Sequence, residues 1–161
     1  MDYTFFKLIH LLAVVLFLGN ITTGLFWMRI AVKSENLTII NHTIVGVIKS
    51  DRYFTIPGVI IITAAGILGA IYGHFPLLRT GWIFWSLVMF SISGIVFGWK
   101  VAPLQKKIYL LTSKPEDPAN FDWHNFRKVY IEWDIWGLVA LLTPLAAFVM
   151  MILKIPTLSM F

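Results

Sequence analysis

The sequence predicts an all-α protein, a bundle of four transmembrane helices. Of its 161 residues, 58 % are hydrophobic and only 13 % are charged, and the mean hydropathy is +0.81. A soluble domain of this length could not bury so much apolar surface, so lipid must surround most of it. Four stretches reach the roughly 20 residues that cross about 30 Å of hydrocarbon, and in lipid each must be helical. We expect one domain over 1–161, with spans near 5–28, 54–72, 82–99 and 135–153.

Basic residues orient the four spans. The first and third connections carry most of the lysines and arginines, whereas the other side has only Lys7, Arg79 and Lys154. The positive-inside rule therefore places both of these loops in the cytoplasm and both termini outside. The net charge of +5 is concentrated in these loops, which indicates membrane orientation and no nucleic-acid partner. Tryptophans are expected at the cytoplasmic interface (Trp27, Trp99, Trp133 and Trp136) and at the outer interface (Trp82 and Trp85).

The two cytoplasmic loops contain local signals of their own. In the first loop, apolar residues recur at helical spacing between polar ones, which predicts an interfacial helix. In the third, the proline-rich run 114–118 predicts a turn. We expect the last helix to begin before the membrane, near Asp122. Three Asn-X-Thr triplets, at Asn20, Asn36 and Asn41, lie in a span or a cytoplasmic loop and are interpreted as chance matches.

Small residues and prolines indicate how the helices pack. Gly69 and Gly73 in the second span and Gly94 and Gly98 in the third form GxxxG pairs, which let helix backbones approach closely. We interpret them as contacts within the bundle, with a homo-oligomer face or a membrane protein partner as the alternative. Two prolines belong to spans: Pro57 is expected in the first turn of span two, and Pro144 should kink span four.

His10 is the strongest candidate for a functional residue. It is an ionisable group within the apolar run 7–20, where an uncompensated charge is costly, and such groups usually face the protein interior and mark a site. At 1.5 Å per residue it lies roughly 8 Å below Phe5, in the outer leaflet. Other polar or sulfur-containing side chains are expected in the outer half of the bundle: His74, Arg79, Ser86, Met150 and Met151.

This set of side chains suits haem b. An imidazole at His10 binds the iron axially, a thioether or the second imidazole takes the other side, and Arg79 pairs with a propionate. Two ordinary interpretations stay open: a buried histidine can simply be hydrogen-bonded, and a methionine near a helix end can simply fill space. On the cytoplasmic side, Glu132 suggests a proton or cation path, or an ion pair at the membrane edge. The absence of cysteine excludes thiolate and disulfide chemistry.

Three stretches carry a resemblance to a known family: 7–20 (KLIHLLAVVLFLGN), 51–58 (DRYFTIPG) with 63–66 (TAAG), and 81–87 (GWIFWSL) with 103–105 (PLQ). Their order, with a closing 150–154 (MMILK), resembles the bacterial four-span membrane proteins of the domain of unknown function 2269. That resemblance implies the fold and no reaction. The run 10–15 (HLLAVV) is also similar to the first span of HemJ-type protoporphyrinogen oxidases and CopD-like proteins.

The HemJ-type resemblance implies that His10 is associated with haem b. Those enzymes also need a lysine in the third span, and Ser86 takes its place here, which counts against protoporphyrinogen oxidation. His74, Met150 or Met151 would then supply the second ligand. We therefore expect a haem b-binding redox protein of the bacterial inner membrane. The alternative is a non-catalytic membrane subunit or scaffold, and a weaker hypothesis is a solute or ion carrier. Whether the protein is an enzyme stays open.

Overall fold

The computed structural model describes residues 2–113 and 121–157, and the turn predicted at 114–118 lies outside them. The described part of the chain is helical apart from its short connections, which confirms the all-α prediction. Its α-helices are α1 (Tyr3–Lys33), α2 (Leu37–Ser50), α3 (Ile56–Tyr72), α4 (Gly81–Val96), α5 (Ala102–Ser113) and α6 (Trp123–Leu153). Two π-helical turns, Asp51–Thr55 and Phe97–Val101, join α2 to α3 and α4 to α5 without a break.

The six α-helices thus make four long helices, each apolar enough to cross a membrane. They contain 31 to 36 residues, or about 47 to 54 Å at 1.5 Å per residue, well over the hydrocarbon thickness. Each predicted span lies within one of them, and the helices continue beyond the spans on the side of the longer loops. The last helix begins at Trp123, with the Asp122 carboxylate accepting a hydrogen bond from the Asn125 N–H, as expected.

The helix predicted in the first loop is present as α2, but it differs from the prediction in one respect. Its apolar residues Ile40 and Ile44 are fully buried, and α2 packs against α5 while running directly into α3. The apolar face is therefore covered by protein and does not lie along the lipid surface. The Asn36 side chain begins α2 by accepting hydrogen bonds from Thr38 N and Ile39 N.

Each π turn ends two residues before a proline. A proline has no N–H, and its ring clashes with the carbonyl four residues earlier, so it disrupts a regular α-helix. Pro57 would meet the carbonyl of Tyr53 and Pro103 that of Trp99, and both carbonyls lie inside the π turns. The wider turns accommodate both prolines within continuous helices. Pro57 lies in the first turn of α3, as predicted, although α3 is itself part of the continuous 36-residue helix Leu37–Tyr72.

The half of the bundle beside the two longer connections, here called the inner half, packs differently from the other half, here called the outer half. The main apolar cluster joins the inner ends of α1 and α6 to α2 and α5, and includes Met28, Ile108 and Phe126, which are fully buried. The outer half has only a small cluster around Phe17. Trp133 belongs to the inner cluster and is only 2 % exposed, so its indole faces the protein interior, whereas the indole of Trp99 is 71 % exposed.

In the outer half the helices form two pairs, α1 with α3 and α4 with α6. The first pair is close because glycines face side chains: a Cβ at Gly58 would lie 3.5 Å from Phe17, and one at Gly69 3.7 Å from Phe6. Gly69 therefore acts within the bundle as predicted. Gly94 does not, since a Cβ there would meet nothing within 4 Å, and the same holds for Gly98. This second GxxxG face is open.

Candidate functional site

A cleft of about 230 Å³ separates the two helix pairs in the outer half of the bundle. It exists because no Cα atom of α4 comes within 8 Å of one in α1 or α3 among the described residues. Its walls are mostly apolar, with aromatic side chains such as Phe17, Trp82 and Phe90. Three of the six candidate residues predicted from the sequence line it: His10, Ser86 and Met151. An apolar cleft with a few polar groups is typical of a ligand site.

His10 is fixed in the wall by a single hydrogen bond. Its Nδ1 lies 2.8 Å from the carbonyl oxygen of Ile62 on α3. Gly66, one helical turn further along α3, faces the same ring. Because a carbonyl oxygen only accepts, Nδ1 must carry the proton, and a neutral imidazole then has its lone pair on Nε2. The ring packs directly on α3, since a Cβ at Gly66 would lie 3.1 Å from both Cε1 and Nδ1. The site therefore offers Nε2 as an acceptor or metal ligand.

Ser86 lines the cleft but uses its hydroxyl to join helices. It donates to the carbonyl of Ala147 at 3.1 Å, and one heptad further along α4, Ser93 donates to the carbonyl of Ala140 at 2.6 Å. Lys100, the next residue in this polar stripe, forms an ion pair with Glu132 at 3.5 Å. These three polar residues, spaced seven apart, thus hold α4 and its extension against α6.

The other three predicted residues lie away from the cleft walls. His74 and Arg79 are exposed in the connection between α3 and α4, and Met150 is not part of the lining. Instead, Lys7 and Lys154 line the mouth of the cleft. The lining contains no acidic side chain, so its formal charge is positive. These lysines had been used only to set the topology, although both flank apolar spans on the outer side.

A second polar cluster, centred on Asp51, is absent from the sequence-based prediction. One carboxylate oxygen accepts from Asn20 Nδ2 at 3.1 Å and from the Thr55 hydroxyl at 2.7 Å, and the other accepts from Gln105 Nε2 at 2.8 Å. Thr55 in turn accepts from Asn20 at 2.9 Å. Asp51 is only 7 % exposed and belongs to the first π turn. Short π-helical turns frequently occur at functional sites.

Two carboxylates in the first half of α6, those of Glu132 and Asp134, form ion pairs with residues of other helices. Asp134 accepts two hydrogen bonds from Arg29, both at 3.0 Å, and Glu132 pairs with Lys100. Arg127 pairs with Glu35. The ion-pair interpretation of Glu132 is thus the one that the contacts support. No group of three or more metal-ligating His, Asp or Glu side chains occurs within 2–113 and 121–157.

Fold and composition define the class: this is a multi-pass integral membrane protein with four long apolar helices. The chain belongs to the family described as "Predicted integral membrane protein (DUF2269)", whose profile matches residues 4–155. Neither a curated protein nor a solved structure matches the chain. The family of the chain is thus established, and the description of that family names no activity.

Proposed function

We propose that this protein binds haem b in the outer cleft and acts as a redox protein of the bacterial cytoplasmic membrane, with His10 Nε2 as an axial ligand. The hydrogen bond from His10 Nδ1 to the Ile62 carbonyl carries this proposal. Histidines that bind metals almost always donate their second ring N–H to a carbonyl or carboxylate, which fixes tautomer and orientation. His10 has this arrangement in the wall of an apolar cleft.

Other residues of the cleft suit the same ligand. Met151, on α6, would offer a thioether to hold the iron, and Lys7 and Lys154 would offer cations for the propionates, in place of Arg79. Haem would supply one-electron chemistry at its iron. The chain itself orients the imidazole through Ile62 and surrounds the ligand with apolar walls that exclude water.

The volume of the cleft sets a condition on haem binding. Pockets for drug-sized ligands measure about 300–1,000 Å³, whereas this cleft measures about 230 Å³, below that range. Haem binding would therefore require the α4–α6 pair to lie farther from α1 and α3. The cleft is where such widening costs least, because α4 makes no close backbone approach to α1 or α3 in the described residues.

Visible absorption spectroscopy tests the proposal. The chain is expressed with added haem precursor, purified in mild detergent and measured oxidised and after dithionite reduction. We expect a Soret band with sharp reduced α and β bands, lost in His10→Ala and kept in His74→Ala, a matched histidine that is exposed and outside the cleft. A full haem complement in His10→Ala, with helix content unchanged, would show that the assignment is wrong. A colourless wild type would reject haem altogether.

The alternative, a non-catalytic membrane subunit or scaffold, is supported by the open face at Gly94 and Gly98. Lipid-exposed small residues permit close approach of another helix. This hypothesis predicts a colourless protein that co-migrates with a larger partner in mild detergent. Gly94→Leu should abolish co-migration, whereas Gly46→Leu, at a cytoplasmic glycine that also has open space around it, should not. Equal behaviour of the two variants would argue against a partner on this face.

A further inference from the structure

The Asp51 cluster borders a small cavity whose walls come from all four long helices. The cavity measures about 20 Å³ and is lined by Asn20 of α1, Asp51 of the first π turn, Gln105 of α5 and Trp133 of α6, among others. It lies in the inner half of the bundle, apart from the outer cleft, with which it shares no lining residue. The function proposed above does not use it.

Trp133 supplies the observation that points to a ligand. Its side chain is 2 % exposed, and its Nε1 is the one buried side-chain N or O atom without a hydrogen-bond partner in the described part of the chain. A buried indole N–H usually finds an acceptor, because leaving it unpaired forfeits its hydration without compensation. Trp133 is also one of the residues that line the cavity, so a molecule bound there is the acceptor that we assign to this N–H.

The size of the cavity and the atoms around it match a single water molecule. A water needs about 10–15 Å³ of such volume and two to four polar partners. Trp133 Nε1 can only donate. Asn20 Oδ1 and Gln105 Oε1 accept no hydrogen bond within 2–113 and 121–157, and Asp51 Oδ2 accepts only one. One water can therefore accept from Trp133 and donate to two of these oxygens.

A cation fits the same cavity poorly. The Asp51 carboxylate already accepts hydrogen bonds from Asn20, Thr55 and Gln105, and these donors compensate its charge. A cation beside it would face the positive end of the Trp133 N–H dipole, and that N–H would stay unpaired. Only a ligand that both accepts and donates hydrogen bonds satisfies Trp133 and the oxygens together.

We infer that this cavity is a binding site for one water molecule, which links Trp133 to the Asp51 cluster. The water joins α6 to a network that already connects α1, the first π turn and α5. All four long helices then meet in one hydrogen-bonded centre beside both π turns. Helix packing forms this site, since each of its four polar lining residues comes from a different long helix.

Water-edited solid-state NMR of ¹⁵N-labelled protein in lipid bilayers tests the inference. The Trp133 indole signal is assigned by its loss in Trp133→Phe. We expect it to receive magnetisation from water about as quickly as the indole of Trp99, which is 71 % exposed, although Trp133 is 2 % exposed. The backbone amide of Ile108, whose side chain is fully buried, should receive none over the same mixing time. A Trp133 signal as slow as that of Ile108 would show a dry cavity and overturn the proposal.

Two further measurements identify the ligand and its partners. Gln105→Leu removes one partner and should reduce the transfer to Trp133 to the level of Ile108, whereas Lys106→Leu, an exposed neighbour, should leave it unchanged. Unchanged transfer in Gln105→Leu would contradict the partner set. Replacing sodium chloride by choline chloride should not move the Trp133 signal, and a sodium-dependent shift would assign the cavity to a cation instead.

Discussion

At the scale of single residues, the position of His10 depends on a neighbour that has no side chain. Gly66 lets the imidazole lie against α3, where its Nδ1 reaches the carbonyl of Ile62. The glycine and the histidine are 56 positions apart in the sequence, and neither one alone indicates this contact. The resulting tautomer makes Nε2 the chemically useful atom of the cleft.

Gly66→Ala should therefore weaken the haem binding that we propose while leaving the fold intact. The added Cβ would lie 3.1 Å from the imidazole, so the ring must shift and its 2.8 Å hydrogen bond must lengthen. Loss of such an orienting contact typically costs about 10- to 100-fold in metal affinity. Haem titration followed by the Soret band measures the effect. Gly19→Ala, where a Cβ meets nothing within 4 Å, is the control; equal affinities in the two variants would contradict the assigned role of Gly66.

Asp51→Ala should destabilise the protein strongly. It leaves the donor groups of Asn20, Thr55 and Gln105 without their acceptor in a buried place, and each unsatisfied group costs about 1–3 kcal/mol. We expect a loss of about 3 kcal/mol or more in the free energy of unfolding, measured by denaturant titration in micelles. Glu132→Ala, which removes a partly exposed ion pair, should cost at most about 1 kcal/mol. A similar cost for both would mean that the cluster is not structurally important.

At the scale of helices, three prolines inside long helices are accommodated in two different ways. Pro57 and Pro103 follow π turns, which widen the helix around the carbonyl that each ring would meet. Pro144 lies in α6 and leaves the carbonyl of Ala140, four residues earlier, without its usual N–H partner. The Ser93 hydroxyl of α4 donates to that carbonyl at 2.6 Å. A neighbouring hydroxyl is a recognised way to satisfy a carbonyl freed by proline in a membrane helix.

This pairing makes the effects of Ser93→Ala and Pro144→Ala non-additive. Ser93→Ala alone leaves the Ala140 carbonyl unpaired and should cost about 1–2 kcal/mol. In the Pro144→Ala background, residue 144 regains an N–H that can bond to this carbonyl, so the same change should cost clearly less. Unfolding of the four proteins in micelles completes the double-mutant cycle. Ser91→Ala, at an exposed serine of α4, is the control, and additive effects would contradict the pairing.

At the scale of the whole molecule, the inner and outer halves of the bundle have different tasks. The inner half is tightly packed around Met28, Ile108 and Phe126 and contains the Asp51 cluster. The outer half is divided by the cleft and has only a small apolar core. The extended helices place most of the buried contacts beside the two longer connections. Stability is thus concentrated at one end, which leaves the other end free to open around a ligand.

The orientation of this asymmetric bundle can be tested with single cysteines, because the chain contains none. Arg79→Cys, in the short exposed connection between α3 and α4, should react with a membrane-impermeant maleimide added to intact cells. Lys107→Cys, exposed on α5, should react only after permeabilisation. The reverse pattern would place both termini in the cytoplasm and contradict the positive-inside assignment.

Particular residues show how far sequence patterns reach. The apolar runs predicted the four helices, because hydropathy acts locally along the chain. The last helix was also expected to begin near Asp122, and the structure shows Asp122 as its N-cap. The pattern around Trp133 suggested an interface position, yet the indole is buried, since its environment depends on helices distant in sequence. Asn20 and Asn41 resembled chance triplets, but they pair with Asp51 and Thr112 across the bundle.

The sequence by itself determined the class of this protein, namely its all-α fold and its four helices apolar enough to cross a membrane. It also singled out His10 as a candidate, because His10 is an ionisable group in an apolar span. These conclusions follow from composition, periodicity and the cost of charge in lipid, all of which can be evaluated from the sequence alone. Only the tertiary structure decided which side chains meet. It separated His10, Ser86 and Met151 from His74, Arg79 and Met150, and it brought the Asp51 cluster together, because such contacts depend on how the helices pair and not on spacing within any one of them.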